Sequence, residues 1–275
     1  MARIECANRH ARWKACTYAL ARAILPMTAL ARQRTLKWLV VAYAVLACVM
    51  ATLVSLYFLG FLVHALVPTH LGHSTPTTSG LAVWINLSLL LAWGVQHSLM
   101  ARAGFKQVVL RRLLVPMERS TYVLASSVML ALMLWFWQPL AGMVWQIDVL
   151  SLRAVIWTLF ASGLALVLYS STLTDGLDLL GWRQASCFAA GLSYQAPPFT
   201  QQSLYGFVRH PMMVGALLAI WATPEMTWTH FMFSVGLTVY ILVGIHLEEA
   251  SMQRTLGDDY RAYQQRTSRL LPGVY

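Results

Sequence analysis

The stretch Met212–Ile245, MMVGALLAIWATPEMTWTHFMFSVGLTVYILVGI, decides the fold. It holds two apolar runs, Met212–Ala222 and Trp228–Ile245, separated by Thr223-Pro224-Glu225 and two further residues. Pro224 lacks the amide that a continuing helix would donate, so the pattern predicts a helical hairpin. Four more uncharged runs precede it: Trp38–Val67, Leu81–Met100, Thr121–Trp137 and Ala154–Leu173. A helix needs about 20 apolar residues to cross a bilayer. Lipid admits only helices and closed barrels, and barrels read as short alternating strands. The sequence therefore predicts an all-α, polytopic membrane bundle of five to six transmembrane helices, the last two forming the hairpin. Only 11% of the 275 residues are charged, against about 25% in soluble domains.

The charges orient this bundle. Of 20 Lys and Arg, eight lie in residues 1–37, five in 101–119, two in 175–209 and four after Glu249. The alternate loops, Pro68–Gly80, Gln138–Leu152 and Thr223–Thr227, contain none. The positive-inside rule then places both termini in the cytoplasm of a multi-pass inner-membrane protein. The net charge of +10 is a topology signal and an attraction to anionic lipid rather than a nucleic-acid footprint. Residues 1–37, with Glu5 as their one acid, read as a basic cytoplasmic or interfacial segment ahead of a membrane domain at 38–275. No signal-peptide pattern is present. Cys6, Cys16, Cys48 and Cys187 form no CxxC pair, so neither a disulfide framework nor a thiolate metal site is expected.

Polar groups gather on the side assigned to the cytoplasm. LYGFVRHP (204–211) opens the hairpin and HLEE (246–249) closes it. A hairpin joins its ends, so Arg209 and His210 should approach Glu248 and Glu249, acids that are costly at a lipid boundary without partners. Each residue alone has a plainer role. Arg209 fits a lipid-edge anchor, and Pro211 fits the first helical turn. The combination favours a site. His70 and His73 lack a third ligand, and His246 with Glu249 lacks the inward acids of a di-iron centre, so no metal is expected.

Arg209-His210-Pro211, Gly215, Glu248-Glu249, Gly257-Asp258-Asp259-Tyr260, Tyr263 and Pro272, in this order and spacing, resemble the isoprenylcysteine carboxyl methyltransferase-like membrane superfamily. QHSLMARAGFK, PMERSTYVLASS and DLLGWRQ resemble its NnrU-like branch, including the enzymes that methylate methanethiol to dimethyl sulfide. The resemblance runs from about Trp38 to the C-terminus. It implies a membrane methyltransferase using S-adenosylmethionine and a small thiol. Tyr205, Arg209, His210, Pro211, Gly215, Glu248, Glu249 and Tyr260 would then frame the cofactor, with the two glutamates as candidates for its ammonium or ribose. A simple thiol is a weak acid, with the Cys reference near 8.5, so a base or cation is useful. His97 and Tyr205 are candidate bases, and Arg209 a candidate thiolate stabiliser. The chain departs from the pattern at Met213, where a tyrosine is usual, and at Gly176, where the branch often has histidine. Two alternatives share these motifs: a haem-binding isomerase or denitrification-associated protein, and a methyltransferase acting on a prenylcysteine or phospholipid.

Overall fold

A computed structural model describes residues 29–75, 77–108 and 115–273. Its long helices are α1 (Ala29–Leu62), α2 (Gly80–Ala101), α3 (Glu118–Phe136), α4 (Leu150–Leu173) and α6 (Trp228–Leu256). All five are long and apolar enough to cross a membrane. Between α4 and α6 lies the short apolar α5 (Pro211–Trp221), and α7 (Asp258–Arg266) follows α6. Trp38, Leu91, Trp135, Leu168 and Val239, one from each long helix, are more than half exposed. Apolar surface on every spanning helix is what a lipid-embedded bundle presents. The protein is a multi-pass helical membrane protein.

Two boundaries differ from the sequence reading. α1 begins at Ala29 and takes in Arg32, Arg34 and Lys37. Its 34 residues span about 51 Å, more than the roughly 30 Å of hydrocarbon, so its charged first turns stand outside the lipid. The rest of the basic segment, residues 1–28, lies outside the described residues. At the hairpin, α5 has only 11 residues, about 16 Å. The chain continues from it in extended form, and β4 (Glu225–Thr227) pairs antiparallel with β3 (Met143–Gln146). Ile147 N donates to Pro224 O and Trp145 Nε1 to Thr223 O, both at 3.0 Å. Protein donors thus satisfy the carbonyls of Thr223 and Pro224, which no longer have a helix to bond them. Five helices are long enough to cross a membrane, and α5 is about half the length that a crossing needs.

The loops that lack Lys and Arg meet at one end of the bundle. There β1 (Ser74–Thr75) pairs with β2 (Leu140–Ala141), and Arg153 bonds Glu225 at 2.9 Å. The apolar core lies toward this end, built from Phe61, Met133, Leu134, Trp137, Phe160 and Phe233 and reaching Leu237 on α6. The opposite, basic end is held by polar contacts. Lys106 pairs with Glu118 at 2.9 Å, and Arg119 Nε donates to Leu179 O at 3.3 Å.

α5 lies directly against α4. A Cβ on Gly215 would stand 2.6 Å from Gly163 O, and one on Gly163 would stand 2.8 Å from Gly215 O. Two hydrogen-sized side chains let these backbones touch, and neither backbone has room to yield. Gly215→Ala is expected to cost about 1–3 kcal/mol through overpacking. A lowered thermal midpoint in detergent checks this, and an unchanged midpoint would contradict the packing.

Candidate functional site

At the basic end, α5 and α6 bring together the groups that the hairpin pattern joined. Pro211 occupies the first turn of α5, which leaves His210 and Arg209 just before it. Glu249 lies on the buried face of α6. Arg209 Nε donates to Glu249 Oε1 at 2.7 Å, with only 4% of either side chain exposed. His210 Nε2 lies 3.2 Å from the same oxygen. A carboxylate only accepts, so that nitrogen carries the proton. Oε2 accepts from Arg269 Nη2 at 2.9 Å and Gln264 Nε2 at 3.3 Å. Arg209 Nη1 donates to Gln264 O and Thr267 O. Arg209 N and His210 N donate to Ser268 O and Arg269 O.

This is a closed clasp. Glu249 has a donor for each lone-pair direction, and its charge is compensated where burial would otherwise be prohibitive. Arg209 is 6% exposed and its charge is directed into the protein. Sequence reasoning missed two members, Gln264 and Arg269. The only hint was the spacing of the closing RTSRLLP from the hairpin. Gly257 makes their return possible, since it turns the chain between α6 and α7 at φ +59, a region that favours glycine.

Glu248 is placed differently. Its side chain is 48% exposed, and Oε2 lies 3.9 Å from His210 Nδ1. Tyr205 sits nearby, half-buried in the turn Leu204–Phe207. Burial pushes the Tyr205 phenol above its ordinary pKa, and Glu248 pushes in the same direction. Tyr205 is thus a neutral hydrogen-bonding group at physiological pH, not a phenolate. Its carbonyl accepts from Tyr263 Oη at 2.5 Å. Tyr260, 2% exposed, packs against Tyr263 and Phe199 behind the clasp. Burial, then Glu249, raises its phenol too.

A cleft of about 680 Å³ opens beside this group, lined by Thr174, Asp175, Arg183, Phe199 and Gln201 among others. Phe199 meets Tyr263 edge-on, with ring centroids 5.4 Å apart, which ties the cleft wall to Tyr205. Gly176 starts a short helix at the cleft's edge, and Asp175, which caps that helix, pairs with Arg183.

His97 is not in this group. Its Nε2 lies 2.8 Å from Tyr122 Oη, and its ring stacks on Trp93. Tyr240 of α6 completes the cluster. At about 100° per residue, Tyr240 and Glu249 project from α6 about 180° apart, so α6 stands between His97 and the clasp. Leu91, Trp93 and Trp221 each have different surroundings. Leu91 faces outward, Trp93 stacks on His97, and Trp221 bonds Thr238. Gly215 meets Gly163.

At the strand end, His70 and His73, expected to be loop residues, have their rings 3.8 Å apart. His64 stacks on His70 and lies 3.2 Å from His230 Nδ1. Among the described residues, no group of three or more His, Cys, Asp or Glu is arranged to hold a metal ion.

Known proteins share much of this sequence. Methanethiol S-methyltransferase of Mycobacterium tuberculosis is 41% identical over 216 residues, 78% of this chain and 88% of that protein. The chain belongs to the methanethiol S-methyltransferase family. Methanethiol S-methyltransferase 1 of Bradyrhizobium diazoefficiens is 38% identical over 239 residues, covering 87% of this chain and 84% of its own. Nurim of Xenopus laevis is 30% identical over 169 residues, 58% of each chain. No protein-family model and no solved structure matches the chain.

Proposed function

We propose that this protein transfers a methyl group from S-adenosylmethionine to methanethiol and releases dimethyl sulfide, working from the cytoplasmic face of the inner membrane with both termini on that side. Its 41% identity to a methanethiol S-methyltransferase is the observation that carries the reaction. The residues fit the cofactor. The cleft's roughly 680 Å³ falls in the usual range for small-molecule sites, about 300–1,000 Å³; Tyr205, which bonds Thr174 of its lining, stands beside it with Glu248. Glu248 offers an exposed carboxylate to the ammonium, and Phe199 offers an aromatic wall. When bound, S-adenosylmethionine supplies a methyl on a sulfonium, which the thiolate sulfur takes while the electrons of the broken C–S bond stay on the donor's sulfur.

The chain's own residues do the rest. Glu248 binds the ammonium by a charge-assisted hydrogen bond, and Tyr205 donates beside it. Arg209, His210, Glu249, Pro211, Gly215 and Tyr260 hold that edge rigid, so Glu248 and Tyr205 need not reorganise on binding. Arg209 acts on the thiolate only through the field of a clasp already neutralised by Glu249. His97, paired with Tyr122, is the proton acceptor for the thiol. At the thiol's end, the rings packed around His97 keep water away, which favours a step that removes charge.

Incubating the purified protein with S-adenosylmethionine and methanethiol, then sampling the headspace for dimethyl sulfide, tests the reaction; absence of dimethyl sulfide defeats it. Glu248→Ala is expected to weaken donor affinity by about tenfold or more, the worth of a charge-assisted bond, and to leave the thermal midpoint unchanged. Unaltered affinity would remove Glu248 from the site.

A further inference from the structure

Beyond Leu237, one strip of the inward face of α6 loses its cover, while Ile241, Ile245 and Glu249 beside it stay buried. At about 100° per residue, Gly244 and Glu248 lie within about 20° of Leu237, which is buried in the core. Continuation of the core would bury both. Instead, Gly244 is half-buried, and a Cβ placed on it meets no atom within 4 Å. Glu248 is exposed beyond it. Tyr240 precedes Gly244 by one turn, so Tyr240, Gly244 and Glu248 form one i, i+4 row along the helix.

Tyr240 leads to the cluster around His97. Ring centroids are 4.8 Å apart for Trp93 and Tyr240, 5.3 Å for Trp93 and His97, and 5.2 Å for His97 and Tyr122. Three helices thus supply four rings around one spot. Trp93 Nε1 is buried there without a partner among the described residues. One end of the row is this aromatic box, the other is Glu248, and the space between them is the open flank of Gly244.

We propose that the acceptor thiol binds in the box formed by Trp93, His97, Tyr122 and Tyr240, and meets the donor's methyl in the space beside Gly244. The inference rests on the methyltransferase reading and deepens it. Aromatic faces attract a cation such as a sulfonium, and a polarizable sulfur packs well against rings. The Tyr122 hydroxyl, 2.8 Å from His97 Nε2, takes the thiol proton as it passes its own to that nitrogen. Tyr240 is pressed against Gly94 of α2 and forms the wall that limits the acceptor's length. The separation of His97 from the clasp by α6 is then a property of the site. The donor is held at Glu248, and the row on α6 carries its reactive end to the box.

Two variants test this. Gly244→Cys, in purified protein, is treated with methyl methanethiosulfonate and followed by peptide mass spectrometry. S-adenosylhomocysteine at ten times its Kd is expected to slow labelling of the new cysteine about tenfold by occupancy, and an unchanged rate overturns the proposal. Tyr240→Ala is expected to raise kcat/KM for propanethiol relative to methanethiol by about tenfold or more, since each methylene in a fitted pocket is worth about 10–200-fold. An unchanged ratio in a protein of native helicity also overturns it. A native protein that methylates no thiol at all defeats the methyltransferase reading itself, a distinct result.

Discussion

Glu249→Ala is expected to destabilise the basic end of the protein by about 3–5 kcal/mol, the cost of leaving a buried charge without its partner. The Arg209 guanidinium would keep its carbonyl contacts to residues 264 and 267 but lose its carboxylate partner at 2.7 Å. His210, Gln264 and Arg269 would lose their shared acceptor as well. The C-terminal segment is tied to the start of α5 through the same residues, so its release should accompany the loss of stability. Thermal unfolding in detergent, with proteolysis after Gly257, reads both effects. Glu249→Gln should recover part of the stability, because an amide oxygen still accepts from Arg209. An alanine variant as stable as the parent would show that the clasp does not hold the end together. The contrast with Glu248→Ala, which should affect donor affinity and spare stability, separates the two neighbouring acids.

His97→Ala is expected to lower kcat by about 10²–10⁴-fold, the usual contribution of a positioned acid–base group, with donor affinity little changed. The split follows from position: His97 contacts Tyr122 and Trp93, while Glu248 and Tyr205 lie beyond the open row on α6. Tyr122→Phe, which keeps the ring and removes the hydroxyl, should fall in the same direction. The loss should shrink as pH rises toward the thiol's own pKa, because solvent then supplies the thiolate. A constant deficit across that range, or full activity in His97→Ala, would remove the imidazole from proton transfer.

The spans were legible because lipid imposes one demand, about 20 apolar residues without unpaired polar groups. Each long run found in the sequence is carried by a helix of the structure, although the first helix stops at Leu62, five residues short of the end of its run at Val67. Helix ends were less legible, since hydropathy does not register Arg32, Arg34 and Lys37, which extend α1 into water. The half-length α5 was hidden for another reason. Whether Thr223–Thr227 forms a loop or a strand depends on Met143–Gln146, a pairing between distant segments with no local signature. The meeting of Arg209 and His210 with Glu248 and Glu249 followed from the hairpin, but two adjacent glutamates read alike in sequence. Helical phase and the returning Arg269 make one a buried anchor and leave the other open. His64 and His230 meet across the bundle, which no spacing along the chain reveals.

Where the methyl donor sits is decided by a density map of the protein with S-adenosylhomocysteine bound. The map should show the ligand's ammonium within hydrogen-bonding distance of Glu248 and its sulfur beside Gly244, facing the rings of Tyr240 and Trp93. Ligand density confined elsewhere, with the flank of Gly244 empty and Glu248 uncontacted, would contradict it.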